Sequence, residues 1–342
     1  MKILVAASNM VHINNFHRPY IERFRSLGHR VYVMARGEGA DFDVPFEKKS
    51  LSFANYRISR KIREILKQER FDAVYLHTSL ASFWVRMAMR GMKNRPYVIN
   101  TVHGYLFGKS CGWLHNKVFL WCEKHLRKQT DEIFVMNKED YEIATQNRLC
   151  LGNVSYIDGM GVRFKENVGD PISWRKEKKN LVFVGEISKR KNQMFLVEAM
   201  KRMPDCTLTL VGDGDCREDI EKYVTSEGLA ECVRITGFTS NAYEYIKGCD
   251  VYVSASSIEG LPFNIMEAMR MGKPIIASNI KGHSDLLPSE QLYPLGDAEK
   301  YVELVRSMLD IEHVEYETQR FSLDSVLEKN VAMYLSYQSG NK

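Results

Sequence analysis

The segment Ser257-Ile-Glu-Gly-Leu-Pro-Phe-Asn-Ile-Met-Glu-Ala-Met269 marks a passage from a β-strand to an α-helix. Just upstream, Val251–Ser254 is apolar enough to predict a short buried strand, and Phe263–Met271 is predicted as a helix. Pro262 suits the start of that helix, because its fixed φ fits the first turn and its missing N–H would have no helical partner. The first amides of a helix and its dipole favour an anion. We therefore expect a phosphate group to face the amides of Gly260, Leu261, Phe263 and Asn264.

Two glutamates eight positions apart flank this turn, Glu259 on the loop and Glu267 on the helix. Their placement suits a ligand with hydroxyl groups on both sides of a diphosphate, as in a nucleotide-sugar. The spacing alone supports a second interpretation equally well. In that interpretation Glu259 offsets the helix dipole and Glu267 is an ordinary helical residue.

Short apolar runs alternate with longer amphipathic runs along the chain, which predicts parallel sheets covered by helices. A polar, lysine-rich stretch from about Arg163 to Asn180 interrupts the pattern and is typical of a linker. We expect an α/β protein with two doubly wound Rossmann-like domains, residues 1–162 and 163–320, and a C-terminal helix in 321–342 that packs back on the first domain. Ligands bind such sheets at the carboxyl ends of the strands, so a cleft between the domains is the expected site.

Length and composition exclude several classes of protein. The 342 residues suffice for two domains, and no apolar run approaches the roughly 20 residues that span a bilayer. The seven cysteines are scattered without metal-ligand spacing, which predicts reduced thiols in a cytoplasmic protein. The loop after the first predicted strand lacks G-x-G-x-x-G, which argues against an NAD enzyme.

Charge is distributed unevenly: residues 1–160 carry 25 Lys and Arg against 15 Asp and Glu, and residues 161–342 carry 23 against 28. Without a zinc spacing, an RNA-binding aromatic motif or a basic dimerisation helix, nucleic acid is not the expected partner. The inner membrane surface, a diphosphate-linked lipid substrate or simple solvation would each explain the basic half. Trp113–Arg127 combines aromatic and basic residues, and it is either a peripheral membrane contact or a buried helix with one wet face.

The Glu259 segment resembles the E-x7-E signature of the retaining glycosyltransferases of family 4. The likeness includes the E-G-x-P opening and the A-M-x-x-G-x-P-I continuation, here Ala268-Met-Arg-Met-Gly-Lys-Pro-Ile275. It covers most of the chain and is strongest from Leu181 to Leu287. Family members concerned with capsule and exopolysaccharide assembly carry H-G-x-x-F after a strand, which the residues from His103 to Phe107 resemble.

This resemblance implies the two-domain GT-B architecture and a retaining, metal-independent transfer of a sugar. The implied donor is UDP-hexose or UDP-N-acetylhexosamine, and the implied acceptor is a glycan or a lipid-diphosphate-linked sugar. No cofactor is implied.

Roles for individual residues follow from the same resemblance. Glu259 would bind hydroxyls of the donor sugar, Glu267 the ribose, and Lys191 with Arg190 the diphosphate. His103 would hydrogen-bond a donor hydroxyl or help the acceptor lose its proton. Further donor-binding candidates are Gly185, Gly212, Gly237, Phe238 and the four residues of the predicted anion site. On the acceptor side, the loop after the first strand offers Asn14, Asn15 and Arg18.

Two departures leave alternatives open. Glu186 stands where the family usually has an arginine, so Arg190 is expected to take over that role. Asp213 and Asp215 imitate a D-x-D metal pair, but basic side chains and a helix N-terminus already supply positive charge. The competing functions are a nucleotide-sugar epimerase, a soluble sugar-phosphate glycosyltransferase and a non-catalytic UDP-sugar-binding subunit.

Overall fold

The computed structural model describes residues 1–47 and 53–336. The chain divides into two compact units, Met1–Gly161 with Leu323–Lys342, and Val162–Ser322. Each unit contains one parallel β-sheet with helices, which confirms the predicted α/β class.

The sheet of the first unit has seven strands in the order β3-β2-β1-β4-β5-β6-β7, and neighbouring strands pair in parallel. The first three strands run from the centre of the sheet to one edge, and the last four strands form the other half from the centre outwards. Its topological switch point therefore lies between the first and fourth strands, where ligands bind in such folds. The strands are β1 (Lys2–Asn9), β2 (Arg30–Arg36), β3 (Phe42–Asp43), β4 (Ala73–Leu76), β5 (Tyr97–Val102), β6 (Glu132–Val135) and β7 (Val154–Tyr156).

Helices follow the strands of this unit, and their apolar sides join the strands in buried clusters that include Leu4, Ile62, Val74 and Val85. The helices are α1 (Met10–His12), α2 (Arg18–Ser26), α3 (Phe53–Glu69), α4 (Ser79–Ala88), α5 (Trp113–Leu126) and α6 (Lys138–Gln146).

A π-helical turn, Ile13–His17, joins α1 to α2. The sequence predicted Asn14, Asn15 and Arg18 in a loop after the first strand, but the structure places them on this turn and at the start of α2. The Arg18 amide donates to the Ile13 carbonyl, a hydrogen bond one residue longer than in an α-helix. Pro19 follows and has no amide to donate backwards, so regular α-helix begins only at α2.

The second unit has six strands in the order β10-β9-β8-β11-β12-β13, again parallel. Its switch point lies between the two strands β8 and β11. The strands are β8 (Lys179–Val184), β9 (Cys206–Val211), β10 (Val233–Gly237), β11 (Val251–Ser254), β12 (Ile275–Ser278) and β13 (Leu292–Tyr293). The helices are α7 (Gln193–Ala199), α8 (Arg217–Ser226), α9 (Ala242–Lys247), α10 (Phe263–Arg270) and α11 (Ala298–Met308).

The last helix, α12 (Leu323–Leu335), belongs to the first unit. Asn330 is buried there and donates to the Gly159 carbonyl at 2.8 Å and to the Tyr20 hydroxyl at 2.9 Å. The Tyr75 hydroxyl donates to the Tyr334 carbonyl at 2.9 Å. The C-terminal helix was predicted within 321–342, and residues 337–342 lie outside the described residues. Within the described chain, no helix combines the length and the apolar character needed to cross a bilayer.

Candidate active site

The loops that leave β8 and β11 meet at the switch point of the second sheet and bring three charged side chains together. The Lys191 ammonium lies 2.6 Å from Oε1 of Glu259, and the Arg190 guanidinium lies 3.2 Å from Oε2. Backbone contacts hold the loops in register, because the Ser257 amide donates to the Arg190 carbonyl at 2.8 Å. Arg190 also donates to the Ile258 carbonyl at 3.1 Å.

Glu259 is buried, with 7 % of its surface exposed. Burial disfavours its ionised form, but the nearby charges of Lys191 and Arg190 outweigh that cost, and the pKa of Glu259 lies below its usual value. The carboxylate is therefore ionised at neutral pH and compensates the two neighbouring cations. Lys191 is the more enclosed of the two cations, since its side chain is 11 % exposed against 40 % for Arg190.

Helix α10 begins at Phe263, as predicted, and Pro262 occupies the preceding N-cap position in an extended conformation. Asn264 donates its side-chain amide to the Val184 carbonyl at 2.6 Å, which ties the helix start to the end of β8. Gly260 and Leu261 are buried in the loop before the helix. The predicted anion-site residues therefore follow β11 directly, beside the ion cluster.

Glu267 lies on α10 and accepts a hydrogen bond from the Tyr243 hydroxyl of α9 at 2.9 Å. Burial raises the pKa of Glu267, and the hydrogen bond from Tyr243 opposes that effect only in part. Sequence reasoning missed Tyr243, because a single tyrosine on a predicted helix carries no motif.

At the predicted glycine turns, the backbone atoms of neighbouring loops lie in direct contact. A Cβ on Gly212 would lie 2.0 Å from the Gly185 carbonyl oxygen, and φ of Gly212 is 147°. Gly212 also forms a bridge with Gly237 at the end of β10. The ends of β8, β9 and β10 are therefore joined by glycine backbone, which leaves their loops close to one another.

Other predicted residues of this unit lie at the surface. Phe238 is 88 % exposed, and the Glu186 side chain is exposed. Asp213 forms an ion pair with Arg217 at 3.1 Å. The structure thus brings Arg190 to Glu259 and leaves Glu186 outside that cluster.

His283 is a buried residue near Glu259 that sequence reasoning missed. Its Nδ1 lies 2.8 Å from the Ser278 carbonyl, and its Nε2 lies 3.4 Å from the Ser254 hydroxyl. Burial lowers its pKa to about 4, although the charge of Glu259 acts in the opposite direction. The histidine is therefore neutral at physiological pH. It lies 24 residues after Glu259, outside every sequence motif described above.

In the first unit, His103 follows β5, and its Nε2 lies 3.2 Å from Nδ1 of His77, which follows β4. Asn14 and Asn15 lie exposed on the π-helical turn, and Arg18 lies exposed at the start of α2. Sequence reasoning singled out His103 but missed His77 and the two histidines of the first loop, His12 and His17.

Comparison with known proteins assigns this chain to a class. A family model described as glycosyl transferases group 1 matches residues 165–321, and a second, described as Glycosyltransferase Family 4, matches residues 20–149. Together with the two parallel sheets, these matches define a glycosyltransferase of the GT-B architecture. The chain belongs to glycosyltransferase family 4, as the E-x7-E segment predicted.

Individual relatives agree with this assignment. The putative glycosyltransferase EpsD of Bacillus subtilis is 27% identical over 331 residues, which cover 90% of this chain and 87% of the relative. UDP-Gal:alpha-D-GlcNAc-diphosphoundecaprenol alpha-1,3-galactosyltransferase of Escherichia coli is 29% identical, with 72% of this chain and 68% of the relative covered. Sucrose-phosphate synthase from Thermosynechococcus elongatus has a similar fold, with a TM-score of 0.80, 18% identity and full coverage of both chains.

Proposed function

We propose that this protein transfers a hexose or N-acetylhexosamine from a UDP donor to a lipid-diphosphate-linked sugar, with retention of the anomeric configuration and without a metal ion, in the assembly of a capsular or extracellular polysaccharide. The ion cluster of Glu259, Lys191 and Arg190 carries the proposal. The Escherichia coli relative, whose name specifies a UDP-linked donor and a diphosphoundecaprenol-linked acceptor, supports the choice of substrates.

The cluster suits a diphosphate because it offers two cations beside a helix start. A departing nucleoside diphosphate gains negative charge in the transition state, and preorganised cations and helix amides stabilise that charge. Lys191 and Arg190 provide the cations, and the loop and helix from Gly260 to Asn264 provide the helix start. A divalent ion would be redundant in such a site.

Donor binding would rearrange the cluster. Lys191 and Arg190 are the counter-ions of Glu259 in the free protein. A bound diphosphate competes for both cations, because phosphate oxygens also accept charge-assisted hydrogen bonds. Glu259 then has acceptor capacity for the hydroxyls of the donor sugar, while Glu267 is placed for the ribose. The nearest glycines, Gly185, Gly212 and Gly237, let backbone approach the nucleotide, with Phe238 beside the base.

Retention requires no protein nucleophile in this proposal. The site positions donor and acceptor, and a diphosphate oxygen on the reacting face takes the proton of the acceptor hydroxyl. His103 binds a donor hydroxyl as a neutral imidazole, because burial holds its pKa well below the usual value. Asn14, Asn15 and Arg18 serve the acceptor.

Helix α5 supplies a surface for the membrane that carries a lipid-linked acceptor. Four of its apolar side chains are strongly exposed, from 50 % to 69 %: Trp113, Leu114, Val118 and Trp121. The Lys117 ammonium lies 3.9 Å from the centre of the Trp113 ring, on the same face. Aromatic residues mixed with lysines favour the interface of an anionic bilayer. We infer peripheral contact with the inner membrane surface through this helix.

The experiment that tests the proposal measures sugar transfer by a Glu259→Ala variant. We expect turnover to fall by about 10²- to 10³-fold, the usual loss when a group that stabilises the transition state is removed. Glu221→Ala is the matched control, because Glu221 forms an exposed ion pair with Arg217 at 2.7 Å. The assay screens UDP-sugars and GDP-sugars with a membrane extract of the source organism. Unchanged turnover in a folded Glu259→Ala protein would remove Glu259 from the site.

A further inference from the structure

Four histidines converge at the switch point of the first sheet. His12 and His17 follow β1, His77 follows β4, and His103 follows β5. The ring centre of His12 lies 4.9 Å from that of His17 and 5.0 Å from that of His103. The rings of His17 and His77 stack with their centres 3.7 Å apart. The position is the one at which this class of sheet binds ligands.

The π-helical turn brings two of these rings together. In an α-helix, residues five apart point about 140° away from each other, because each residue turns about 100°. The turn at Ile13–His17 is wider than an α-helical turn, because the Arg18 amide donates to the carbonyl of Ile13, five residues earlier. His12 and His17 consequently face the same place. Single π-helical turns are frequent at functional sites.

Ring nitrogens of His12, His17 and His103 point at a common space. One nitrogen from each ring lies within 4.8 Å of the other two. Among the described residues, both nitrogens of His17 and Nε2 of His12 are buried without a hydrogen-bond partner. His17 is 1 % exposed. Buried polar atoms that lack partners are costly, so three at one place favour a ligand that would pair with them.

The donor atoms suit a transition metal, because the imidazole nitrogen of histidine is its commonest protein ligand. In a tetrahedral zinc site the Zn–N distance is about 2.0–2.1 Å, so the nitrogens would have to close to about 3.4 Å. Nδ1 of His77 lies 3.2 Å from Nε2 of His103, and a hydrogen bond of this kind commonly orients a ligating imidazole.

We propose that His12, His17 and His103 form a binding site for a transition-metal ion of the zinc class, with His77 hydrogen-bonded behind His103. Three protein nitrogens leave a fourth coordination position for a water molecule or a hydroxyl group. The metal is not required for transfer. A bound ion occupies His103, so this histidine can no longer bind a donor hydroxyl and Zn²⁺ inhibits the enzyme. This consequence rests on the proposed function, whereas the site itself does not.

The test is a titration of tag-free, metal-stripped protein with Zn²⁺ and with Co²⁺. We expect one equivalent of Zn²⁺ to bind, and Co²⁺ to give visible d–d absorption without a thiolate charge-transfer band, because the cluster contains no cysteine. His12→Gln and His17→Gln should each weaken binding at least tenfold. His125→Gln is the control, since His125 is exposed on α5.

A second measurement uses only the wild type, so it does not depend on a variant that might lose its fold. Zn²⁺ should raise the midpoint temperature of thermal unfolding, because it binds the native state. A Co²⁺ spectrum with thiolate bands would assign the metal to cysteines and overturn the proposal. No binding, or equal affinity in the wild type and in folded histidine variants, would also overturn it. These readouts do not involve sugar transfer, so they separate failure of the site from failure of the proposed function.

Discussion

Lys189 and Lys191 are two residues apart on one loop, yet their surroundings differ. Lys191 is largely enclosed and contacts Glu259, while Lys189 is exposed. In the proposed complex, an enclosed cation interacts with the diphosphate through a lower effective dielectric constant than an exposed cation does, so its attraction is stronger. Comparing the two lysines therefore tests whether the proposed donor is recognised by Lys191 itself or by the general positive charge of the loop.

Lys191→Met should weaken UDP binding at least tenfold, about 1.4 kcal/mol, because a charge-assisted contact to the diphosphate is lost. Isothermal titration with UDP measures the effect. Lys189→Met should change the affinity little, and Lys191→Arg should recover part of it. Equal losses at positions 189 and 191 would mean that the loop acts only through its net charge.

The stability of the second unit should depend on His283. Its pKa is about 4 in the folded chain against 6.5 in the unfolded chain, so only the unfolded state binds the proton between these values. The free energy of unfolding therefore falls as pH drops from 6.5 to 4, by about 3 kcal/mol from this residue. Glu259 opposes the shift, Lys191 contributes to it, and Ser254 and Ser278 are the neutral partners.

Urea unfolding across this pH range measures that slope. His283→Gln should give a shallower dependence than the wild type, and His125→Gln should not. Parallel slopes in all three proteins would show that His283 titrates normally in the folded state.

At the scale of elements, the glycine contacts decide how closely the strand ends of the second unit approach. Gly212→Ala would press a methyl group into the Gly185 carbonyl at a strained φ. We expect a loss of about 2 kcal/mol or more in the free energy of unfolding. Gly228→Ala is the matched control, because φ is 67° there but the space is open. Denaturant unfolding that gives equal losses would contradict this role of Gly212.

Helix α5 should determine membrane affinity. Trp113→Ser combined with Trp121→Ser should lower binding to phosphatidylglycerol vesicles at least tenfold, because the apolar surface that enters the interface is removed. Leu151→Ser with Tyr156→Ser tests other exposed apolar residues of the same unit. Sedimentation with vesicles measures binding, and phosphatidylcholine vesicles test the need for anionic lipid. Equal binding by both double variants would assign the contact elsewhere.

The sequence predicted the elements better than it predicted the contacts. Strong periodicity located the longer strands and helices to within a few residues, but it did not predict the two-residue edge strands β3 and β13. The loop glycines predicted tight turns. The ion cluster was predictable because Lys191 and Glu259 follow strands that a doubly wound sheet places side by side. The histidine cluster was not, since His12 and His17 meet only through a π-helical turn, which has no sequence signal. Tyr243 and His283 likewise depend on packing between separate elements.

For the whole molecule, the six strands of the second unit repeat the order of the first six strands of the first unit, and each unit places a chemically distinct cluster at its switch point. The cluster of the second unit is charged and suits a diphosphate, and the cluster of the first unit consists of neutral imidazoles. The basic excess of residues 1–160 fits a membrane-proximal acceptor. Under the proposed function, the donor would bind the second unit and the acceptor the first.

The most direct test of the central claim combines product analysis with metal removal. Purified protein is incubated with a UDP-α-sugar, the membrane acceptor and EDTA, and the anomeric configuration of the new linkage is determined by NMR. We predict release of UDP and an α-linked product at a rate that EDTA does not reduce. A β-linked product, or transfer that ceases in EDTA and returns only with Mn²⁺, would contradict the account and favour a metal at Asp213 and Asp215.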